Sequence, residues 1–217
     1  MHYYLSTTVL AAICLANALL YVVADWRGWL TLRPVFKISA STSFVILAVC
    51  NGASGTTYGR LILLALLLSW VGDILLLSLR PIGLLAGMFT FFLAHAAFAA
   101  AFGSQRLDLA WFVFALFVLC AAALVFVRWL WPYIKTHNRA AVPLYLVAIT
   151  IMSSLAISAA AASGSPLLAV GAVAFFVSDV SVARDRFVSH GIANKVWGLP
   201  LYYAAQLLFG ISVLSHG

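Results

Sequence analysis

The chain has 217 residues, of which 65% are hydrophobic and 8% charged, with a mean hydropathy of +1.12 and a formal net charge of +7. This composition excludes a soluble globular domain and describes a polytopic helical membrane protein. The basic residues fall singly at the ends of apolar runs, which is the pattern of membrane topology and lipid-headgroup contact and excludes nucleic-acid binding.

Eight spans are expected in chain order: Leu5–Ala24, Val35–Asn51, Gly59–Leu79, Ile82–Phe102, Leu109–Trp131, Val142–Ala162, Pro166–Ala183 and Val196–Leu214. Each is near the ~20 residues that cross a hydrocarbon core. The first run has no Lys or Arg before it and is followed by Arg27 and Arg33. That inverts the signal-peptide pattern and predicts a retained first helix. Short connections carry the expected breakers, such as Arg33-Pro34, Asn51-Gly52, Arg80-Pro81 and Ser163-Gly164-Ser165-Pro166. The expectation is an all-α, polytopic transmembrane helical bundle forming a single domain over residues 1–217.

Charge fixes the expected orientation. Arg27, Arg33, Arg80, Arg128, Lys135, Arg139, Arg184, Arg186 and Lys195 fall on one side, and Arg60 and Arg106 on the other. The positive-inside rule makes the first side cytoplasmic and places both termini outside, in a bacterial inner (plasma) membrane. Cys14, Cys50 and Cys120 each lie within an apolar run and read as small packing residues.

The chain contains no glutamate, and its five acids are Asp25, Asp73, Asp108, Asp179 and Asp185. Asp73 and Asp179 sit inside apolar runs, where an aspartate costs roughly 3 kcal/mol at the bilayer centre. Asp73 precedes Arg80 by seven residues and Asp179 precedes Arg184 by five, on helices that run in the same direction. At ~1.5 Å per residue both carboxylates lie about 8–10 Å below the cytoplasmic face. Asn17, Lys37, Ser41, Tyr145, Tyr202, Tyr203 and Gln206 fall at similar depth, and His95 nearer the midplane. Since lipid offers no hydrogen bonds, these side chains are expected to face a polar pocket opening toward the cytoplasmic leaflet.

Taken singly, each has a plainer reading. An aspartate is neutralised by a cation, Lys37 snorkels, the tyrosines form an aromatic belt, and Gln206 and His95 join helices. A zinc site lacks a second intramembrane histidine, and no serine stands in a nucleophile-elbow context. The chemistry therefore rests on the carboxylates. A proton-coupled transporter or an intramembrane aspartyl protease would use the same pair, although no Pro-Ala-Leu tripeptide accompanies it.

Four stretches carry a resemblance. Ser69-Trp70-Val71-Gly72-Asp73-Ile74-Leu75-Leu76 resembles the "GD-x-x-L" helix of the YhhN family of lysoplasmalogenases. Gly87–His95 resembles its phenylalanine-rich helix ending in histidine, Ala174–Asp179 its "F-x-x-SD" helix, and Tyr202-Tyr203-Ala204-Ala205-Gln206 its closing "Y-x-x-Q" helix. Arg33-Pro34 departs mildly from the family's Lys-Pro. Together the motifs cover about residues 31–212.

The resemblance implies an eight-helix enzyme that hydrolyses the vinyl ether bond of lysoplasmalogens to a fatty aldehyde and a glycerophospho-ethanolamine or -choline. Its functional aspartates carry over to Asp73 and Asp179, with Lys37, His95, Tyr202, Tyr203, Gln206 and Arg33 as substrate-binding candidates. A vinyl ether breaks by protonation of its β-carbon, and water captures the resulting cation. One aspartate would be the acid and the other the base, in either order. Arg33, Lys37, Arg80 and Arg184 would hold the phosphate, and no metal or cofactor is called for.

Overall fold

Each apolar run must satisfy its own backbone hydrogen bonds in lipid, and in the computed structural model each does so as an α-helix. The structure describes residues 2–78 and 80–216. Helix α1 spans His2–Trp26, α2 Leu32–Cys50, α3 Thr57–Leu75, α4 Pro81–Gly103, α5 Leu109–Leu130, α6 Ala141–Ser163, α7 Leu167–Ala183 and α8 Ile192–His216. All eight are long and apolar enough to cross a membrane, and the chain is an integral membrane protein of the all-α class.

Local chemistry sets the helix ends. Thr56 Oγ1 accepts from Gly59 N at the start of α3, and Asp108 Oδ1 from Trp111 N at the start of α5. Pro81 opens α4, where its missing N–H costs nothing. Gly164, at φ +71°, closes α6 in the left-handed region that favours glycine.

Two boundaries differ by four residues from those expected. Helix α3 ends at Leu75, and its expected end, Leu79, lies outside the described residues. The Leu76 carbonyl is taken instead by Arg186 Nη2, at 2.9 Å. Helix α8 begins four residues early, at Ile192, because Asp185 accepts from Gly191 N and Asn194 Nδ2 and so fixes its first turn. Asp185 reaches that turn because α7 runs on into a wider π-helical turn over Arg184–Val188.

Helices α1, α2, α3, α4, α6 and α7 are successive neighbours. Helix α8 closes the bundle between α7 and α1 and also packs against α2 and α3. Helix α5 packs chiefly on α6 and buries only Ala115 and Leu130. The core is aromatic, with Phe44, Phe98, Phe102, Phe175, Tyr203 and Phe209 fully buried where the helices meet.

Candidate active site

Both intramembrane aspartates line one cavity of about 340 Å³, near the end of the bundle that carries Asp25, Arg33 and Lys195. Asp73 comes from α3, Asp179 from α7, Lys37 from α2, Tyr145 from α6 and Tyr202 from α8. Leu84, Met88, Phe126, Val142 and Leu146 form an apolar wall from α4, α5 and α6.

Asp73 is 2% exposed and held by three side chains. Its Oδ1 lies 3.2 Å from Lys37 Nζ, while its Oδ2 accepts from the Ser41 hydroxyl and from the Tyr202 hydroxyl at 2.8 Å. A carboxylate leaving water needs both an opposite charge and donors for its lone pairs, and this set supplies them. Lys37 is itself buried, with its ammonium 6.0 Å from the centre of the Tyr21 ring.

The position of Tyr202 depends on Gly72. A Cβ at that position would lie 2.7 Å from the Phe91 ring, so only glycine lets Phe91 settle there. Phe91 in turn meets Tyr202 edge-on, with centroids 5.9 Å apart. The glycine beside the aspartate thereby shapes the wall that aims a tyrosine at the carboxylate.

Asp179 has a different set of partners. Its Oδ2 accepts from the Tyr145 hydroxyl at 2.8 Å and lies 3.4 Å from His95 Nε2. His95 Nε2 is also 2.9 Å from the Tyr145 oxygen. The hydroxyl has one proton and gives it to Asp179, so it can only accept from a protonated Nε2. No hydrogen bond joins the two carboxylates among the described residues; each has its own network on the cavity lining.

The other sequence candidates divide. Arg33, Lys37 and Tyr202 line the cavity, whereas His95, Tyr203 and Gln206 stand behind its lining. Tyr203 is fully buried, with its hydroxyl 3.4 Å from both Ser41 Oγ and the Lys37 carbonyl, on the far side of the Asp73 cluster. Gln206 is fully buried one turn beyond Tyr202.

Three sequence expectations change. Asn17 turns back to donate to the Ile13 carbonyl on its own helix and is not part of the lining. Arg80 is not part of the lining either, and Arg184 donates to Asn194 Oδ1 on the first turn of α8. Their places are taken by Lys195 and Arg186, which line the cavity. Asp25 receives Lys195 Nζ at 2.7 Å and Arg33 Nε at 2.9 Å, joining the ends of α1, α2 and α8. Sequence spacing offered only one hint of this cluster: Asp25 sits next to the span end at Ala24, where a pair of cations can reach it.

The sequence model of the YhhN family matches residues 32–213, a stretch that includes every helix contributing to the two carboxylate networks. The chain belongs to the YhhN family. Among curated proteins, this YhhN member is 30% identical over 195 residues to the lysoplasmalogenase of Mycobacterium tuberculosis, covering 85% of this chain and 71% of the relative. The lysoplasmalogenase of Mycobacterium bovis matches to the same extent. Lysoplasmalogenase TMEM86A of Bos taurus is 28% identical over 160 residues, covering 71% of this chain and 65% of the relative. No solved structure matches the chain significantly.

Proposed function

We propose that this YhhN protein is a lysoplasmalogenase-type hydrolase that cleaves the vinyl ether bond of a lysophospholipid, with Asp73 and Asp179 as its acid and base. The observation that carries the reading is the placement of two hydroxyl-bound carboxylates on a single cavity that is apolar along α4, α5 and α6 and basic at one end. The curated relatives named lysoplasmalogenase supply the substrate class.

The bond to be broken is R–CH=CH–O–R′. A proton delivered to the β-carbon gives an oxocarbenium ion. Water adds to the carbon beside oxygen, and the hemiacetal collapses to R–CH2–CHO and the glycerol alcohol, with one water consumed. We assign the acid to Asp179, whose Oδ2 is occupied by Tyr145 and whose Oδ1 remains for substrate. We assign the base to Asp73, whose charge Lys37 balances and which can stabilise the cation and take a proton from the attacking water.

The alkenyl chain would lie along Met88, Phe126 and Leu146, and the phosphate would meet Arg33 and Lys195. The basic end is taken as cytoplasmic by the positive-inside rule.

The test is incubation of the purified protein with a lysoplasmalogen in heavy water. The account expects free fatty aldehyde carrying one deuterium at carbon 2, because the carbon proton comes from an exchangeable acid. Intact lipid after incubation overturns the hydrolase reading, and uptake of that lipid into vesicles without aldehyde would assign the aspartates to transport.

A further inference from the structure

Helices α1 to α4, α6 and α7 follow one another around the core and α8 closes the ring, while α5 stands outside it, packed chiefly on α6. A side chain of α5 can therefore reach the cavity only where α4 and α6 leave a gap. Among the described residues of α5, Phe126 does so. It lines the cavity together with Met88 of α4 and Val142 and Leu146 of α6.

The helix starts explain the gap. Helices α4 and α6 meet at His95 and Tyr145, whose ring centroids are 5.0 Å apart. Toward the basic end of the bundle, α6 starts at Ala141, four residues before Tyr145, whereas α4 starts at Pro81, fourteen before His95. Beyond the first turn of α6, α4 loses that neighbour, and the end of α5 with the segment after it takes its place. Met88 and Phe126 both pack there on the cluster of Leu130, Ile134 and Val142. Phe126 is thus a plug in the seam between α4 and α6.

The same residue also faces outward. With Ala121, Ala122, Val125 and Trp129 it forms an apolar groove on the outer side of α5. The Phe126 and Trp129 ring centroids are 5.7 Å apart, and Val125 is 72% exposed. One side chain therefore lies between the reaction cavity and the outer surface of a membrane-spanning helix. From Trp129 to Ala121 the groove runs eight residues, about 12 Å, from the basic end toward the middle of the bundle. A lipid tail leaves a phosphate held by Arg33 and Lys195 in that same direction.

We propose that the substrate's chain leaves the cavity past Phe126, through the seam between α4 and α6, and that its far end lies in the outer groove of α5. The proposal rests on the lysophospholipid reading of the cavity and adds where the tail is held. At about 340 Å³ the cavity is near the lower end of the ~300–1,000 Å³ of sites for drug-sized ligands. A lysophospholipid carries a long chain as well as a phosphate and a glycerol. The outlet lets the vinyl ether sit beside the carboxylates while the end of the tail stays outside. That arrangement costs little, because lipid hydrocarbon is as apolar as the side chains of the groove. Affinity comes from the headgroup and the cavity, and the groove sets the path of the tail.

Photo-labelling of the full chain in lipid bilayers tests the path without any turnover. The probe is a hexadecyl ether lysophosphatidylethanolamine, which has no double bond to protonate, with a diazirine at the end of its chain. Mass spectrometry is expected to find insertion concentrated on Ala121, Ala122 and Val125, and to find it lost when excess unlabelled hexadecyl lipid competes. Ala122→Trp fills the groove from an exposed position and is expected to abolish the competable insertion. Leu124→Trp, also exposed but outside the groove, is expected to leave it as in the wild type. The competition needs no variant, so it decides alone if Ala122→Trp does not fold. Insertion in the groove that excess lipid does not reduce marks bulk lipid. Insertion confined to the cavity lining marks a closed pocket, and a groove shielded from the probe in a cross-linkable dimer is covered by a second copy. Each of these three results overturns the proposal. Aldehyde release is scored separately: release without competable labelling removes the path alone, and competable labelling without release removes the hydrolase reading alone.

Discussion

The Lys37–Asp73 pair supports a quantitative prediction. Asp73 is 2% exposed and Lys37 7% exposed, and their charges lie 3.2 Å apart. Lys37→Met keeps most of the side-chain volume but leaves a buried carboxylate with only two hydroxyl donors. Breaking a buried pair from one side costs about 3–5 kcal/mol, because the remaining charge keeps its desolvation penalty. For a chain of this size that corresponds to a fall in Tm on the order of 10 °C. The double variant Lys37→Met/Asp73→Asn removes the orphaned charge, while the Asn oxygen still accepts from Ser41 and Tyr202. It is expected to recover at least about 2 kcal/mol relative to the sum of the single variants, which is within the range measured for residues in direct contact. Thermal unfolding in detergent, followed by tryptophan fluorescence, reads all four corners of the cycle. Single costs that simply add would show that the two charges do not stabilise each other and would refute the buried-pair reasoning.

Three further outcomes can be checked directly. Gly72→Ala drives a methyl group into the Phe91 ring; it should cost about 1–3 kcal/mol in an unfolding assay and lower turnover by displacing Tyr202. Tyr145→Phe removes the 2.8 Å bond to Asp179 and the 2.9 Å bond to His95. It should cost about 1–3 kcal/mol of stability and reduce kcat more than it raises KM in aldehyde-release kinetics. Leu146→Trp fills the apolar wall formed by α4, α5 and α6, and a chain-length series should show KM rising most for the longest substrates.

That Asp73 and Asp179 share one level of the bundle was legible in the sequence, and their partners largely were not. Counting residues from Asp73 to Arg80 and from Asp179 to Arg184 sets height along a helix, because the rise per residue is fixed. Rotation about the helix axis decides what each carboxylate touches, and it depends on packing against several other helices at once. That is why Lys37 and Tyr202 turn inward to Asp73 while Asn17, judged to be at similar depth, folds back onto Ile13. The basic cluster was hidden for a related reason. The π-helical turn after Ala183 sends Arg184 to Asn194 and brings Arg186 back to the end of α3, and no spacing rule anticipates that switch. The peripheral place of α5 was hidden as well, since lipid-facing and protein-facing helices are equally apolar.

Aldehyde release from a lysoplasmalogen, measured side by side for the wild type, Asp73→Asn and Asp179→Asn, tests most directly whether the two carboxylates do the chemistry. The account predicts turnover by the wild type and its loss in each variant, with all three proteins still folded by thermal unfolding. Release at near wild-type rate by either asparagine variant would contradict it.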